Sequence, residues 1–599
     1  MKKISLLSFL LLLTSSICVD GTEQQHRFQQ DSTTCISSDT NCWPTQEEWY
    51  ELNNLVNGNL VSVIPPGKAC YSGTDYNQNT CKTYQKGFLS DLHRESYIGT
   101  MQNINWETCG EEGGCLLNSL FPSLPQFFGK CSQGALPRYA LNSTSEQEIA
   151  AVIGFAQRHR IAFNIKNSGH DYLGRSTSPD SITIWTHPLQ KIEFHEAFQP
   201  QECPDVQPQK AFTFGGGVKW FDAYRAADEH NVTVVGGAQA GVGVAGGWLG
   251  GGGHSMLTPA FGLGVDHVLE YKVVLASGEL VTVNKCHYAD LFWALRGGGG
   301  GTFGVVTEVT MRVHPKITLQ AIGVELFITV PGAQRLLMLE FARHSERWAE
   351  EGWGGYFYYY GTGIKFLYGN PLLSKEEAAI SMKPFLDFVN NKPWTYVKKR
   401  VEAGTSDGFY EFFMKIMHPN AEMVGYGARI ASRLIPRSHF ATNETIEQLV
   451  DKFIEGTKLT RPSSFFVPTQ ILATTTLRQQ DKDGETSVQP LFRSSVWHVI
   501  YTGGWIQGMP EFIKRSTSIK ISQAADPIRG ITPNGGAYFN EADILEPKWR
   551  QSFWGDENYD RLLDIKQKYD PNNFFNCWKC IGWDESMAIK DKKYRCYQY

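Results

Sequence analysis

Residues 167–176 contain one histidine among several small residues, a combination that could both bind a ligand through the main chain and react with it. The segment reads Asn-Ser-Gly-His-Asp-Tyr-Leu-Gly-Arg-Ser and follows an apolar run at 161–165 that predicts a strand. Small residues let the backbone turn sharply after that strand, so that its N–H groups can bind a pyrophosphate. The same turn would place the imidazole of His170 beside the molecule that carries the pyrophosphate. A second glycine-rich segment at 236–264 supports this interpretation, and together the two segments predict a redox cofactor.

The sequence around these loops alternates predicted helices and strands. Ser145 and the glutamates that follow it are typical of a helix start, which predicts a helix over 146–159. Further strands are predicted at 162–166, 181–185, 211–214, 232–235, 268–276, 280–283 and 305–313, with a helix at 218–229. This pattern favours an α+β fold whose loops converge on the cofactor. We do not interpret the glycine-rich segments as a dinucleotide fingerprint of the kind that Rossmann folds use, so NAD is not expected.

The rest of the chain divides by composition. Residues 1–21 predict a signal peptide, 22–132 a cysteine-rich N-terminal extension and 133–316 a domain that contains the glycine-rich loops. Aromatic strands near 353–360 and helices near 446–456 and 509–525 predict a second domain over 317–533, an antiparallel sheet with helices on one side. A C-terminal segment at 534–583, with a helix at 557–569, would return to the first domain, and 584–599 would form a tail.

Composition limits the classes of function. The net charge of -5 and the lack of a basic stripe argue against nucleic-acid binding. Lys2 and Lys3 precede an apolar run at 4–17 that is too short to span a membrane, so we expect a secreted protein without a membrane anchor. Three N-glycosylation sequons fit that route, at Asn142, Asn231 and Asn443. The sequence does not predict an oligomeric state.

The cysteines support the same compartment. Twelve remain once Cys18 is removed with the signal peptide, and an even number in a secreted chain favours disulfides. Cys577 and Cys580 form a Cys-x-x-Cys motif that is compatible with a zinc or redox site. No second such pair accompanies it, so disulfides that fix the C-terminal tail are the favoured interpretation, and no metal is expected. The pairing does not follow from the sequence.

Three separate motifs carry a family resemblance. They are Ser-Gly-His-Asp-Tyr at 168–172, the glycine-rich segment to Asp266, and Tyr-Phe-Asn-Glu at 538–541 with the segment 568–575. In this order they resemble the berberine-bridge-enzyme-like oxidases, which are FAD enzymes of the vanillyl-alcohol-oxidase type. The resemblance covers about 138–316 and 490–583 and implies a PCMH-type FAD-binding domain. Residues 23–130 resemble nothing that we can name.

The resemblance implies how FAD would be held. His170 would bond covalently to the 8α carbon of the isoalloxazine, for which a neutral imidazole is a competent nucleophile. Gln239 stands where many relatives have a second linking cysteine, so a single covalent attachment is expected; the nearest free cysteine, Cys286, lies beyond the loop. The remaining expected FAD contacts are Lys166, Asn167, Ser168, Gly169, Asp171, Ala240, Gly241, Val242, Gly247, Gly250, Gly251, Gly252, His254, Ser255, Asp266, Gly304, Val305, Val306 and Asn540.

The resemblance also points to catalytic residues. Tyr538 matches a tyrosine beside the flavin and is expected to belong to the base that takes the substrate proton, which requires a lowered phenol pKa. His498 and Tyr172 are candidate helpers. For Glu541 and Asp543 the sequence favours structural or surface roles. Val242 matches a position where the family's oxidases have valine, which leaves room for O2.

These features predict a secreted oxidase acting on a small molecule. It would transfer a hydride from an alcohol, sugar or secondary-metabolite carbon to FAD and then reduce O2 to hydrogen peroxide. Three alternatives stay open: a dehydrogenase with another acceptor, an oxidative cyclase of secondary metabolism, and a binding protein that has lost its flavin. The sequence does not identify the substrate.

Overall fold

The computed structural model describes residues 34–597 except 74, 109–112, 119, 124–129, 329, 331, 361, 393–395, 421–422, 461–469 and 475–483. The predicted signal peptide and Cys109 lie outside these residues. The strands are β1 (Leu60–Ser62), β2 (Tyr139–Asn142), β3 (Ala162–Lys166), β4 (Ser181–Trp185), β5 (Ile192–Phe198), β6 (Gln209–Gly215), β7 (Val232–Thr233), β8 (Val268–Val274), β9 (Leu280–Asn284), β10 (Val305–Arg312), β11 (His314–Pro315), β12 (Thr318–Ile328), β13 (Gly354–Tyr359), β14 (Gly363–Asn370), β15 (Tyr396–Asp407), β16 (Gly427–Pro436), β17 (Gln470–Thr474) and β18 (Ser495–Trp505).

The α-helices are α1 (Gln46–Leu55), α2 (Gln78–Lys86), α3 (Asp91–Glu95), α4 (Glu146–Arg158), α5 (Trp220–Glu229), α6 (Gly247–Gly250), α7 (Thr258–Phe261), α8 (Ala289–Leu295), α9 (Ala333–Glu351), α10 (Lys375–Asn391), α11 (Phe409–Phe412), α12 (Asn443–Thr460), α13 (Glu511–Ala524), α14 (Asp526–Ile531), α15 (Trp549–Trp554), α16 (Asp556–Tyr569) and α17 (Glu585–Lys590). Within the described residues, no helix is both long and apolar enough to cross a membrane.

Two sheets form the half of the molecule that contains the glycine-rich loops. The first has the order β1-β2-β4-β3, with β2, β4 and β3 parallel to one another. The second is antiparallel, with the order β5-β6-β10-β8-β9. The predicted bounds of β3 and β4 are confirmed, and α4 begins after the predicted N-cap Ser145, whose side chain accepts the N–H of Glu148. The sequence analysis missed β5 and α8.

The predicted second sheet is confirmed as seven antiparallel strands in the order β15-β12-β14-β13-β17-β18-β16. Its side chains alternate between two faces, as the period of a strand requires. Phe357, Phe366 and Val499 pack in one apolar cluster with residues of α9, α10, α12 and α13. Tyr356 and Ile500, which are adjacent in sequence to members of that cluster, pack together in a separate group on the other face. The helices therefore cover one face and leave the other for the cavity described below.

Disulfides hold the N-terminal extension and the C-terminal region. Within the described residues, Cys35 pairs with Cys42, Cys70 with Cys81, Cys115 with Cys131, Cys203 with Cys286 and Cys577 with Cys580. Cys577 and Cys580 are thus a disulfide, as the favoured interpretation predicted, although the bond joins near neighbours rather than fixing the tail to a distant segment. Cys286 is bonded, so its expected free thiol was wrong.

Candidate active site

A cavity of about 990 Å³ lies between the glycine-rich loops and the helix-free face of the seven-stranded sheet. That volume is within the range of cofactor and ligand sites. The loop after β3 forms one wall, the segment 237–250 another, and residues 538–541 a third. The motifs that the sequence analysis singled out therefore meet around one space.

His170 lies on the wall of this cavity, in the turn that follows β3. The turn depends on Gly169, whose φ of 79° is in the left-handed region. The Nε2 atom of His170 is buried, and it neither accepts nor donates a hydrogen bond among the described residues. Burial lowers the pKa of His170 well below its ordinary value; the negative charge of Asp91 raises it and the positive charge of Lys219 lowers it further. The imidazole is therefore neutral, and hence nucleophilic, near pH 7.

The N-terminal extension supports this turn, which the sequence analysis did not predict. The main-chain N–H of Gln102 donates to the carbonyl of Gly169 (3.0 Å), and its Nε2 donates to the carbonyl of Ser168 (3.2 Å). The indole N–H of Trp106 donates to the carbonyl of Tyr172 (3.1 Å). The extension has no recognisable motif, so only the folded chain reveals this contact.

The glycine-rich segment packs too closely for side chains. A Cβ on Gly250 would lie 2.5 Å from the main-chain N of Gly300, and a Cβ on Gly243 would lie 2.3 Å from the Asn167 side chain. Most of the predicted FAD contacts line the cavity: Asn167, Ser168, Gly169, His170, Asp171, Gln239, Val242, Gly247, Gly250, His254, Gly304, Val306 and Asn540. Residues 299–301 line it as well.

Other predicted FAD contacts lie behind the cavity wall: Lys166, Ala240, Gly241, Gly251, Gly252, Ser255, Asp266 and Val305. Asp266 instead forms a two-pronged ion pair with Arg493, with both N···O distances 2.7 Å. The Nζ of Lys166 donates to the carbonyls of Tyr97 and Ile98 at 2.7 and 3.0 Å, and burial lowers its pKa to about 7. These two charged residues connect parts of the protein rather than facing the cavity.

Tyr538 and Asn540 form the third wall. The Tyr538 hydroxyl oxygen accepts the Asn540 Nδ2–H (2.7 Å) and the His254 main-chain N–H (3.3 Å). Burial raises the pKa of Tyr538, and the nearby Glu541 carboxylate raises it further, despite these hydrogen bonds. The lowered pKa that a tyrosine base requires is therefore not found.

Glu541, for which the sequence favoured a surface or structural role, lines the cavity. Its Oε2 lies 2.8 Å from Nε2 of His498, a fully buried residue of β18. Burial raises the pKa of Glu541, but the hydrogen bond and charge of His498 and the charge of His254 outweigh it, and the net pKa is lowered. Asp543, by contrast, pairs with Arg529 at 2.9 Å away from the cavity.

The open face of the seven-stranded sheet completes the cavity with residues that the sequence analysis did not name. Tyr356 and Tyr358 of β13, Lys365 of β14 and Ile500 of β18 are among them. The predicted helper Tyr172 packs against the same pair of Ile430 and Ile500 as the two tyrosines. The alternation of aromatic residues along 353–360 was the signal that could have identified the two tyrosines.

The residues present fit FAD. The glycine segments leave main-chain N–H groups near the cavity, and His170 presents a ring whose buried Nε2 has no described hydrogen-bond partner. Residues 137–284 match the family described as FAD binding domain, and residues 537–581 match the family described as Berberine and berberine like.

Full-length relatives agree. The chain is 32% identical over 576 residues to the FAD-linked oxidoreductase ffsJ of Aspergillus flavipes, with 90% of this chain and 92% of that protein covered. The chain belongs to the berberine bridge enzyme-like FAD-linked oxidoreductases. This berberine bridge enzyme-like protein is also 31% identical over 577 residues to the FAD-linked oxidoreductase OXR2 of Pyricularia oryzae, covering 92% and 95%.

A solved structure confirms the fold of this berberine bridge enzyme-like protein. The VAO-type flavoprotein MtVAO615 from Myceliophthora thermophila C1 superposes with a TM-score of 0.81 at 26% identity, covering 92% of this chain and 98% of that one. The predicted α+β fold and FAD dependence follow, and the protein is an FAD-dependent oxidoreductase.

Proposed function

We propose that the protein is a secreted oxidase with FAD attached through one covalent bond to His170. It takes a hydride from an alcohol, sugar or secondary-metabolite carbon and passes the electrons to O2, giving hydrogen peroxide. The observation that carries this proposal is His170 itself: a neutral, half-buried imidazole with a buried Nε2 atom, on the cavity wall, in a turn that the glycine-rich segment faces.

A single attachment is supported by the cysteines. Gln239 lines the cavity where a second link would need a thiol, and an amide forms no thioether. Each cysteine among the described residues is in a disulfide. Cys577, which also lines the cavity, is bonded to Cys580.

FAD supplies the acceptor for the hydride, and the protein must accept the hydroxyl proton. We assign that role to Glu541, because this carboxylate lines the cavity, is ionised near neutral pH and has its Oε2 hydrogen-bonded to Nε2 of His498. Tyr538 accepts two N–H hydrogen bonds, which leaves its O–H to donate to the substrate oxygen. Tyr538 thus positions the substrate while the pair of His498 and Glu541 takes the proton.

O2 as acceptor is supported by Val242, a partly buried residue on the cavity wall. A valine leaves more room there than leucine or isoleucine. Secretion is supported by the predicted signal peptide and the disulfides. Of the three sequon asparagines, Asn231 and Asn443 are exposed, whereas Asn142 is half-buried at the end of β2. Glycosylation is therefore expected first at Asn231 and Asn443.

The experiment is to photoreduce the purified protein without oxygen and then mix it with O2 or with a quinone in a stopped-flow instrument. An oxidase reoxidises rapidly in O2, at least as fast as with the quinone, and releases one hydrogen peroxide per flavin. Slow reaction with O2 but fast reaction with the quinone indicates the dehydrogenase alternative. A peroxide-coupled substrate screen follows, and a product whose mass shows ring closure identifies the cyclase. A colourless protein points to the flavin-free binding protein.

A further inference from the structure

The N-terminal extension places one carboxylate behind the flavin loops. Asp91, the first residue of α3, is 9% exposed. Its Oδ1 accepts the N–H of Leu92 (2.8 Å) and its Oδ2 accepts the N–H of Gly241 (2.9 Å). Its carbonyl accepts the Nε2–H of Gln102, the side chain that also bonds to Ser168. Asp91 is thus fixed to the glycine-rich segment directly and to the turn before His170 through Gln102.

The Asp91 carboxylate and the His170 ring meet at Gly241. A Cβ on Gly241 would lie 3.0 Å from Oδ2 of Asp91 and 3.3 Å from Nε2 of His170. Because residue 241 has no side chain, the space beside both the carboxylate and Nε2 of the imidazole stays free. The Nε2 atom is the buried nitrogen to which no described residue is hydrogen-bonded.

The other charged group near His170 cannot accept a proton. Lys219 is a cation whose Nζ donates to the carbonyl of Gly217, lies 3.2 Å from Nδ1 of His187 and is 3.8 Å from Glu95. Of these two charged groups, only Asp91 can accept a proton from an Nε2–H group.

We propose that Asp91 is the positioning residue for covalent attachment at His170. Its carboxylate holds the proton of the imidazole on Nε2, which leaves the lone pair of Nδ1 for the cavity. This inference rests on the proposed covalent link. A carboxylate that orients a histidine in this way fixes both the tautomer and the ring angle, as it does behind metal-bound histidines.

The attachment step balances without a further reactant. A C–H bond at the 8α carbon breaks and a C–N bond to Nδ1 forms. The electron pair and the proton of the broken C–H bond pass to the isoalloxazine. The proton that the imidazole releases from Nε2 also passes to the isoalloxazine, through Asp91. O2 then removes two electrons and two protons as hydrogen peroxide.

The test compares three variants of the full-length protein. Asp91→Asn removes the negative charge, Asp91→Glu restores it, and Glu95→Gln replaces a second buried carboxyl group on the same helix, whose pKa burial raises to about 8. Total FAD is measured from the absorbance of the native protein, and covalent FAD from fluorescence in a denaturing gel during incubation with added FAD. We expect Asp91→Asn to bind FAD but to form the covalent bond at least tenfold more slowly, Asp91→Glu to recover at least half of the rate, and Glu95→Gln to match wild type.

Gly241→Ala provides a second route, because its φ is not in the left-handed region and the added methyl would separate Asp91 from His170. The same tenfold loss is expected, so the proposal stays testable if Asp91→Asn does not fold. Wild-type rates in both Asp91→Asn and Gly241→Ala, or equal losses in Asp91→Asn and Glu95→Gln, overturn the role of Asp91. Wild-type protein without covalent FAD overturns the proposed attachment instead.

Discussion

The Nε2 atom of His498 lies 2.8 Å from Oε2 of Glu541, and the two residues come from different parts of the fold. His498 is on β18 in the sheet that roofs the cavity, whereas Glu541 follows the Tyr-Phe-Asn motif on the opposite wall. The contact therefore joins the seven-stranded sheet to the C-terminal segment. It also gives the site an ionised carboxylate, which the buried tyrosine does not supply.

Glu541→Gln is expected to lower kcat per bound flavin by about 10²-fold or more, because an amide cannot take the substrate proton. The measurement is steady-state peroxide release, normalised to flavin content. Asp543→Asn is the matched control: this carboxylate pairs with Arg529, so its loss lowers thermal stability but leaves kcat per flavin within about threefold. Equal kcat in wild type and Glu541→Gln would remove Glu541 from the mechanism.

Tyr538→Phe is expected to lower kcat by less than Glu541→Gln does, because it removes a substrate hydrogen bond and not the proton acceptor. It also leaves the Asn540 amide and the His254 N–H without their acceptor, which costs about 1–3 kcal/mol of unfolding free energy. Urea denaturation and kcat are measured on the same sample. A larger loss of kcat than in Glu541→Gln would return the base to Tyr538.

Lys566 and Lys568 on α16 give a paired test of the C-terminal segment. Lys566 is fully buried and donates to Asp570, to the carbonyl of Thr302 and to that of Phe575 at 2.6–2.9 Å. Lys566→Met leaves the Asp570 charge buried alone and should cost about 3–5 kcal/mol of unfolding free energy. Lys568→Met removes an exposed pair with Asp290 and should cost about 0–1 kcal/mol. Similar losses in chemical denaturation would contradict this account.

Acid should destabilise the protein through buried neutral histidines. His267 bonds to the carbonyl of Leu263 and to Nε2 of His314, and burial lowers its pKa from 6.5 to about 3. Between these pH values the unfolded chain binds one more proton than the native chain does. The contribution of His267 to the free energy of unfolding is therefore complete above pH 6.5, and it is lost by about 1.4 kcal/mol per pH unit as the pH falls below that value. Between pH 7 and pH 4.5, the unfolding free energy of His267→Gln should change less with pH than that of wild type. An equal slope in the two proteins would contradict this role of His267.

Val242→Leu tests oxygen access. The larger side chain should slow reoxidation by O2 at least tenfold while the rate with a quinone stays within about threefold, because only the small oxidant needs that space. Both rates come from stopped-flow mixing of photoreduced protein. A parallel fall in both rates would mean that Val242 only supports packing.

The fold could be predicted where local sequence determines local structure. The cap at Ser145 and the apolar runs gave α4, β3 and β4 close to their bounds, and the family motifs located the walls of the cavity. β5 was missed because it is an edge strand with charged residues along it, paired only with β6. Gln102 and Asp91 of the N-terminal extension support the His170 loop through contacts between residues that are distant in the chain. This support was not predicted because the extension has no recognisable motif.

The site was less predictable than the fold, because its side chains are placed by contacts between residues that are distant in the chain. Asp266 fits the family pattern by sequence, yet its ion pair with Arg493 turns it away from the cavity. Glu541 resembled a surface carboxylate because nothing in the local sequence shows that β18 brings His498 against it. Long-range pairs of this kind depend on the packing of the two halves of the protein.

Flavin retention after denaturation tests the central claim most directly. The secreted protein and His170→Ala are precipitated with acid, and flavin is measured in the pellet and in the supernatant. The account predicts that wild-type flavin stays in the pellet, at about one per chain, and that the His170→Ala pellet is colourless. Wild-type flavin released into the supernatant, or a His170→Ala pellet that keeps its colour, would contradict the attachment at His170.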